Sequence, residues 1–388
     1  MLGAWHDPAA ALGGDRPSTR AAPRLSDTGE GGKRPMSWLD FHGIGIPGTL
    51  AAFVVASAVV WIAGDRLARY SEIIADRTGL GEAFIGTSLL GIAGSLPEMS
   101  LAAVAAALGD VDLAVNSLLG GIAVTMIVLA ITDLVVGEEP LSTDVRHPVV
   151  LLQGALVVVM LTVAAAGITA GDRLLPVVGV AGAWTTALLI LYVLCLVLVK
   201  RLQRHHPWTP DAAPEPTGEP GPEAQAMDGD GPPLGRVIWL TALAAAAVIA
   251  AGTVLAFSAH ALAAQTGLGS GLIGLLFGGV ATSLPELSAT ISSVRLKQYE
   301  TAFYDAFGTN LASVVLLLLA DVLYAGGPIL NEVGRFSTFA VLLGIVLTAI
   351  YLAGLVARPR RPLWRMAIDS ATVLAASAVG FVILYHLM

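Results

Sequence analysis

A single cysteine, Cys195, stands among 388 residues. That excludes a disulfide framework or a thiolate metal site within one chain, and a cysteine inside an apolar run reads as a small buried side chain. Charge is also scarce. Asp, Glu, Lys and Arg make up 13% of the sequence, against about 25% in soluble domains. The charges that exist lie mostly between apolar runs, so the net −8 says little about partners, and no basic face is left for nucleic acid. No ten-residue alternation of apolar and polar residues occurs, which argues against a membrane β-barrel. The seven histidines sit near the ends of apolar runs or outside them and read as solvated or interfacial.

Apolar sequence is what the chain has in abundance. Hydrophobic residues account for 55% of it, with a mean hydropathy of +0.77. They gather into runs near 46–64, 148–168, 175–199, 236–258, 336–356 and 365–387, each close to the roughly 20 residues that span a bilayer. Regions 82–136 and 271–325 are each long enough for two spans. The expected fold is an all-α polytopic membrane protein of about ten transmembrane helices. Residues 1–40 lack periodicity and read as a disordered tail. Within that tail, Met36 is a second candidate start, because Met36-Ser-Trp-Leu-Asp-Phe leads almost directly into the first span. Residues 41–202 hold the first five spans and 235–388 the second five. Between them, 203–234 carries eight prolines and reads as a flexible cytoplasmic loop.

The basic residues orient the spans. Arg66, Arg69, Arg77, Arg146, Lys200, Arg201, Arg204, Arg236, Arg295, Lys297, Arg358, Arg360, Arg361 and Arg365 fall on one side, against only Arg173 and Arg335 on the other. Positive loops face the cytoplasm, so both termini are expected outside a cell inner (plasma) membrane. Membrane lipid is then the standing partner, and the oligomeric state stays open.

The chain repeats itself. Thr78-Gly-Leu-Gly-Glu-Ala-Phe-Ile-Gly86 matches Thr266-Gly-Leu-Gly-Ser-Gly-Leu-Ile-Gly274, and Ser95-Leu-Pro-Glu-Met-Ser100 matches Ser283-Leu-Pro-Glu-Leu-Ser288. One offset, 286 − 98 = 188, serves both pairs, and over 78–134 it gives 18 identities in 57 positions. The matches include Gly, Pro, Glu and Ser, which apolar composition alone does not favour. With five spans per half, the second copy crosses the membrane in the opposite sense. Such inverted repeats place ion sites near the midplane, on interrupted helices in matching positions.

Glu98 and Glu286 occupy those positions. An ionised carboxylate inside a membrane is costly and marks function by default. Pro97 and Pro285 each leave a carbonyl without its usual donor, at Ala93 and Ala281, and neighbouring glycines permit bending and close approach. Carboxylates, freed carbonyls and the hydroxyls of Ser95, Thr282 and Ser283 together offer oxygen ligands to a hard cation such as calcium. Asp305 lies four residues before Thr309 and eight before Ser313, along one helical face, while its repeat counterpart is Ser117. Asp133 and Asp321 form a further symmetric pair near span ends. The spacing there fits end-capping or vestibule lining, with a proton relay as the alternative.

The segments Gly91-Ile-Ala-Gly-Ser-Leu-Pro-Glu98 and Gly279-Val-Ala-Thr-Ser-Leu-Pro-Glu286 resemble the paired signatures of the cation/calcium exchanger superfamily, in particular its prokaryotic sodium/calcium exchangers. The resemblance implies four central spans, the second, third, seventh and eighth, around the ion sites. It implies Glu98 and Glu286 as principal ligands, joined by Ser95, Thr282 and Ser283. Where the family carries Gly-Ser-Asn-x-x-Asn or Gly-Ser-Asn-x-x-Asp, this chain has Gly120-Gly-Ile-Ala-Val-Thr125 and Gly308-Thr-Asn-Leu-Ala-Ser313. The family's serine falls on Gly121 and Thr309. Its Asn or Asp ligand falls on Thr125 and Ser313, each 27 residues after its glutamate. Two formal charges remain, enough for one calcium ion.

The expected function is therefore sodium/calcium exchange by alternating access, with calcium, sodium or protons as transported ions and no cofactor. Protons compete for carboxylates held out of water, which makes cation/proton exchange the nearest variant. An intramembrane protease built on Asp110 and Asp305 fails because Asp110 falls in a loop. A non-transporting scaffold leaves the paired Glu–Pro segments unexplained.

Overall fold

The computed structural model describes residues 41–78, 91–136, 141–142, 145, 148–171, 181–204, 233–358 and 366–388. The tail 1–40, most of the 203–234 loop and most of the Thr78–Gly86 motif lie outside them. Among the described residues the first half supplies α1 (Gly45–Thr78), α2 (Gly91–Ala107), α3 (Val111–Val136), α4 (Pro148–Ala170) and α5 (Ala183–Arg204). The second half supplies α6 (Leu234–Thr266), α7, α8 (Tyr299–Leu323), α9 (Arg335–Ala357) and α10 (Ile368–His386). α7 is a bent pair, Ser270–Thr282 and Leu284–Arg295, meeting at 47°.

Eight of these helices are long and apolar enough to cross a membrane, and the bent α7 counts as a ninth. α2, with 17 described residues, is shorter than those spans and is the tenth of the helices named above. The chain is a multi-pass membrane protein of two five-helix halves. Large apolar side chains such as Trp61, Val193, Leu194, Trp239 and Val379 point outward, as a lipid-facing surface requires.

Two helices form the middle of the bundle. Of their most apolar stretches, 78% is buried in α3 and 61% in α8, against 22% in α5. α1 and α6 are the longest, at 34 and 33 residues, or about 50 Å at 1.5 Å per residue. That exceeds a hydrocarbon core of about 30 Å, so the two helices run tilted or past the membrane. They pack on each other as a layer over the glutamate-bearing helices. Leu67, Ala244 and Val248 form a small apolar cluster of their own there, against Ala63, Leu96 and Ala245.

The repeat is visible in the backbone. The turn after α2 pivots on Gly109 at φ 79°, and the turn after α7 pivots on Lys297 at φ 60°, with 297 − 109 = 188. Glycine suits the left-handed region, and the second copy adopts the same turn with a lysine.

Asp133 and Asp321, both wholly buried, hold the halves together by capping. Asp133 accepts the N–H of Leu141 at 3.1 Å and of Ala367 at 2.7 Å, just before α10. Asp321 accepts the N–H of Ile329 at 2.6 Å and of Gly182 at 2.7 Å, just before α5, and the hydroxyl of Thr185. Each carboxylate thus satisfies otherwise orphaned donors at a helix start in the opposite half. This is the capping alternative of the sequence reading.

Candidate cation site

Glu98 follows Pro97 inside a helix that continues through the proline. Glu286 lies in the first turn of the second α7 segment, with Pro285 beside it in that turn. A proline there removes no helical hydrogen bond, because the first N–H groups have no intrahelical partner. The copies therefore handle the same Pro–Glu pair differently, α2 as one helix and α7 as a break at Ser283. Upstream of the break, Ile273–Gly278 winds as a π-helix, a form frequent at functional sites.

Backbone contact sets the reach of the site. A Cβ placed on Gly279 would stand 2.6 Å from the Gly120 carbonyl carbon and 2.9 Å from the Gly121 nitrogen, and one on Gly274 would stand 2.9 Å from the Leu113 oxygen. Only glycine lets α7 lie this close to α3. The approach brings Thr125 to Glu286. Its hydroxyl lies 2.9 Å from Glu286 Oε2 and 2.9 Å from the Gly121 carbonyl of its own helix. On the other side, the Ser313 hydroxyl of α8 donates to Glu98 Oε2. Each glutamate is served by a hydroxyl from the other half.

Both glutamates are buried, Glu98 at 2% and Glu286 at 8% exposure, and their charges act on each other. Among the described residues neither has a Lys, Arg or His within ion-pair distance. Glu98 Oε1 is buried with no hydrogen-bond partner. Gly121 lies against it, and a Cβ there would overlap that oxygen. The counterpart Thr309 keeps a hydroxyl side chain, which is buried. The two halves of the site therefore differ in oxygen content, as Gly121 against Thr309 implied.

The remaining predicted ligands fall close by. Ser95, Thr282 and Ser283 are buried. Ser95 is engaged in an interaction of its own. Thr282 turns its hydroxyl back to the carbonyls of Gly278 and Gly279, at 3.0 and 3.2 Å, while Ser283 Oγ has no hydrogen-bond partner. Asp305 is half-buried and its charge acts on Glu286. Among the described residues no three His, Cys, Asp or Glu side chains group as a metal site, so Asp305 stands beside the glutamate pair without closing a three-carboxylate cage.

Sequence reasoning missed two features. Asn310 is fully buried with neither amide atom partnered, and an amide within an apolar helix was the signal for it. His260 was read as solvated or interfacial. Its side chain is 40% exposed, yet Nδ1 lies 2.6 Å from Asp110 Oδ2, and Asp110 Oδ1 also accepts the Leu113 N–H at the start of α3.

Comparison with known proteins identifies the family and the fold. The family described as "Sodium/calcium exchanger protein" matches residues 48–201 and again 236–388. A protein named as a candidate antiporter, CaxA of Alkalimonas amylolytica, is 26% identical over 282 residues, 72% of this chain and 82% of its own length. Inner membrane protein YrbG of Escherichia coli (strain K12) is 26% identical over 281 residues, 72% of this chain and 81% of its own. Among solved structures, the sodium-calcium exchanger NCX_Mj superposes with a TM-score of 0.54 at 15% identity, covering 87% of this chain and 98% of that one. The H+/Ca2+ exchanger CAX superposes with a TM-score of 0.61 at 13% identity, covering 87% and 86%. At such identities these two structures show a shared fold.

Proposed function

The chain belongs to the sodium/calcium exchanger protein family, and from that membership and the site we propose that it is a secondary active antiporter exchanging sodium for calcium by alternating access. The carrying observation is the pair Glu98 and Glu286, buried together without a described cationic partner and each met by a hydroxyl of the opposite half. Two carboxylates balance one divalent cation, and hydroxyl and carbonyl oxygens complete a flexible shell of the kind calcium accepts. The same oxygens serve monovalent ions, and the two loads exclude each other, which yields exchange. Thr125, Ser313, Thr309, Ser95, Thr282 and Ser283 are the secondary ligands on this reading, with Asp305 at the edge. The protein works in the inner membrane with both termini outside. Its partners are lipid and the transported cations, it needs no cofactor, and its chemistry is transport and not catalysis.

One observation favours a proton in place of sodium. The Thr125 hydroxyl has a single hydrogen but two acceptors at 2.9 Å, the Gly121 carbonyl and Glu286 Oε2. A proton on Glu286 completes the set, donating to Thr125 while Thr125 donates to Gly121.

Calcium-45 uptake into reconstituted vesicles, driven by an outward sodium gradient, an outward proton gradient or neither, separates the readings. Sodium-driven uptake lost in Glu286→Gln supports sodium/calcium exchange. Uptake driven only by protons makes the chain a cation/proton exchanger. No calcium flux under any gradient removes calcium as substrate.

A further inference from the structure

We propose that Gly64 and Gly252 are positioning residues for the conformational step of exchange, the two points on which the α1–α6 layer passes over the Pro–Glu segments. The inference rests on the exchange reading above. Gly64 of α1 sits on α7, where a Cβ would stand 2.6 Å from Pro285 Cγ and 3.1 Å from Pro285 Cβ. Gly252 of α6 sits on α2, where a Cβ would overlap Ser100 Oγ and stand 2.7 Å from Ser100 Cβ and 3.4 Å from the Pro97 carbonyl oxygen. All four of Gly64, Gly252, Pro97 and Pro285 are buried. The contacts obey the internal symmetry: 252 − 64 = 188 and 285 − 97 = 188. Each half's long helix therefore meets the other half's proline, one residue from the glutamate.

A side chain at either glycine would be a knob seated beside a rigid proline ring or a helix turn. Knobs in holes fix the register of two helices. Without such a knob, bare glycine backbone faces the Pro285 ring at one contact and the short Ser100 side chain at the other, and small residues allow this close approach in membranes. Ser100 Oγ lies at this contact and is satisfied within its own helix, donating to the Pro97 carbonyl at 2.9 Å. The opposite crossing has one added tie. Trp61 Nε1, one turn before Gly64, donates to Ser288 Oγ at 2.7 Å. Ser288 is the repeat counterpart of Ser100, but the counterpart of Trp61 is Ile249, which has no donor. A shift of the layer thus breaks one hydrogen bond at these two contacts and draws glycine, with no Cβ of its own, across the Pro285 ring and the Ser100 side chain.

The test compares wild type, Gly252→Ala, Ser100→Gly and the double variant Gly252→Ala/Ser100→Gly in vesicles. Readouts are the maximal calcium-45 exchange rate, the half-saturating calcium concentration, and equilibrium calcium-45 binding to the detergent-purified proteins. Gly252→Ala is expected to lower the maximal rate more than tenfold while half-saturation and binding stay within twofold. Ser100→Gly removes both of the tight contacts, so the double variant returns to within threefold of Ser100→Gly alone. Gly64→Ala is expected to behave like Gly252→Ala, and if it does not fold, the Gly252/Ser100 set decides. A Gly252→Ala rate within twofold of wild type, binding lost in parallel with rate, or no rescue by Ser100→Gly overturns the proposal. Absence of any cation exchange by the wild type sinks the exchange reading, and this one with it.

Discussion

The crosswise pairing of hydroxyl and glutamate can be measured directly. Thr125→Val keeps the shape of the side chain and deletes the hydroxyl that meets Glu286 Oε2 at 2.9 Å. A hydrogen bond to a charged group contributes about 1.5–3 kcal/mol, and groups in contact show coupling of about 0.5–3 kcal/mol in a double-mutant cycle. Two cycles on folding stability are therefore informative, Thr125→Val with Glu286→Gln and Thr125→Val with Glu98→Gln. Stability avoids the difficulty that either glutamine variant is expected to stop transport. The chain offers a convenient reporter, since Cys195 is its only thiol and is 2% exposed; a thiol-reactive fluorogenic dye labels it on unfolding. The Thr125–Glu286 coupling is expected near 1 kcal/mol or above, and the Thr125–Glu98 coupling smaller by at least about 0.5 kcal/mol. The mirrored cycle, Ser313→Ala with Glu98→Gln against Ser313→Ala with Glu286→Gln, is expected to give the mirrored result. Equal or larger coupling within a half would refute the crossed arrangement.

Three more outcomes follow from the same contacts. Gly121→Ala puts a methyl group where Glu98 Oε1 lies, so the carboxylate must shift; the half-saturating calcium concentration is expected to rise at least tenfold, read by calcium-45 uptake with protein yield unchanged. Asp321→Ala strips partners from the N–H groups of Gly182 and Ile329 and from the Thr185 hydroxyl; at about 1.5–3 kcal/mol per charge-assisted bond, a stability loss above about 3 kcal/mol should appear as an earlier Cys195 labelling midpoint. Asp110→Ala loses both the cap on Leu113 and the contact with His260, whereas Asp110→Asn keeps a cap; the alanine variant is expected to be less stable than the asparagine variant by about 1 kcal/mol, and equal stabilities would show that the cap contributes nothing.

The glutamate pair was legible because a repeat preserves it together with its proline, and polar matches in apolar helices stand out against composition. Asp133 and Asp321 were legible as a pair but not in role, since the helix starts they cap belong to distant sequence at Ala367 and Gly182. The same limit hid the partners of Thr125 and Ser313. A register of 27 residues fixes each hydroxyl relative to the glutamate of its own half, while the contact it makes depends on how the halves interleave. The π-helix at Ile273–Gly278 was invisible for another reason. Ile-Gly-Leu-Leu-Phe-Gly is ordinary helical sequence, and what sets this stretch apart is its backbone contact with α3.

Interleaving also bears on how the site comes to exist. Cross-half bonds occur at three levels: Asp133 with Ala367 at one end, Glu98 with Ser313 and Glu286 with Thr125 in the middle, and Asp321 with Gly182 at the other end. A half alone retains Glu98 and Asp133, or Glu286 and Asp321, with those partners missing. In lipid each unsatisfied polar group costs several kcal/mol, so neither half is expected to hold a stable ion site by itself. Two separate chains, 1–204 and 205–388, retain every one of these bonds, because none of them involves the loop between the halves. Co-production of the two chains is therefore expected to restore calcium-45 uptake, with either chain alone inactive and poorly retained in the membrane. Uptake by one half alone would mean that a single glutamate with its own helices suffices, and the crossed site would not be the transport site.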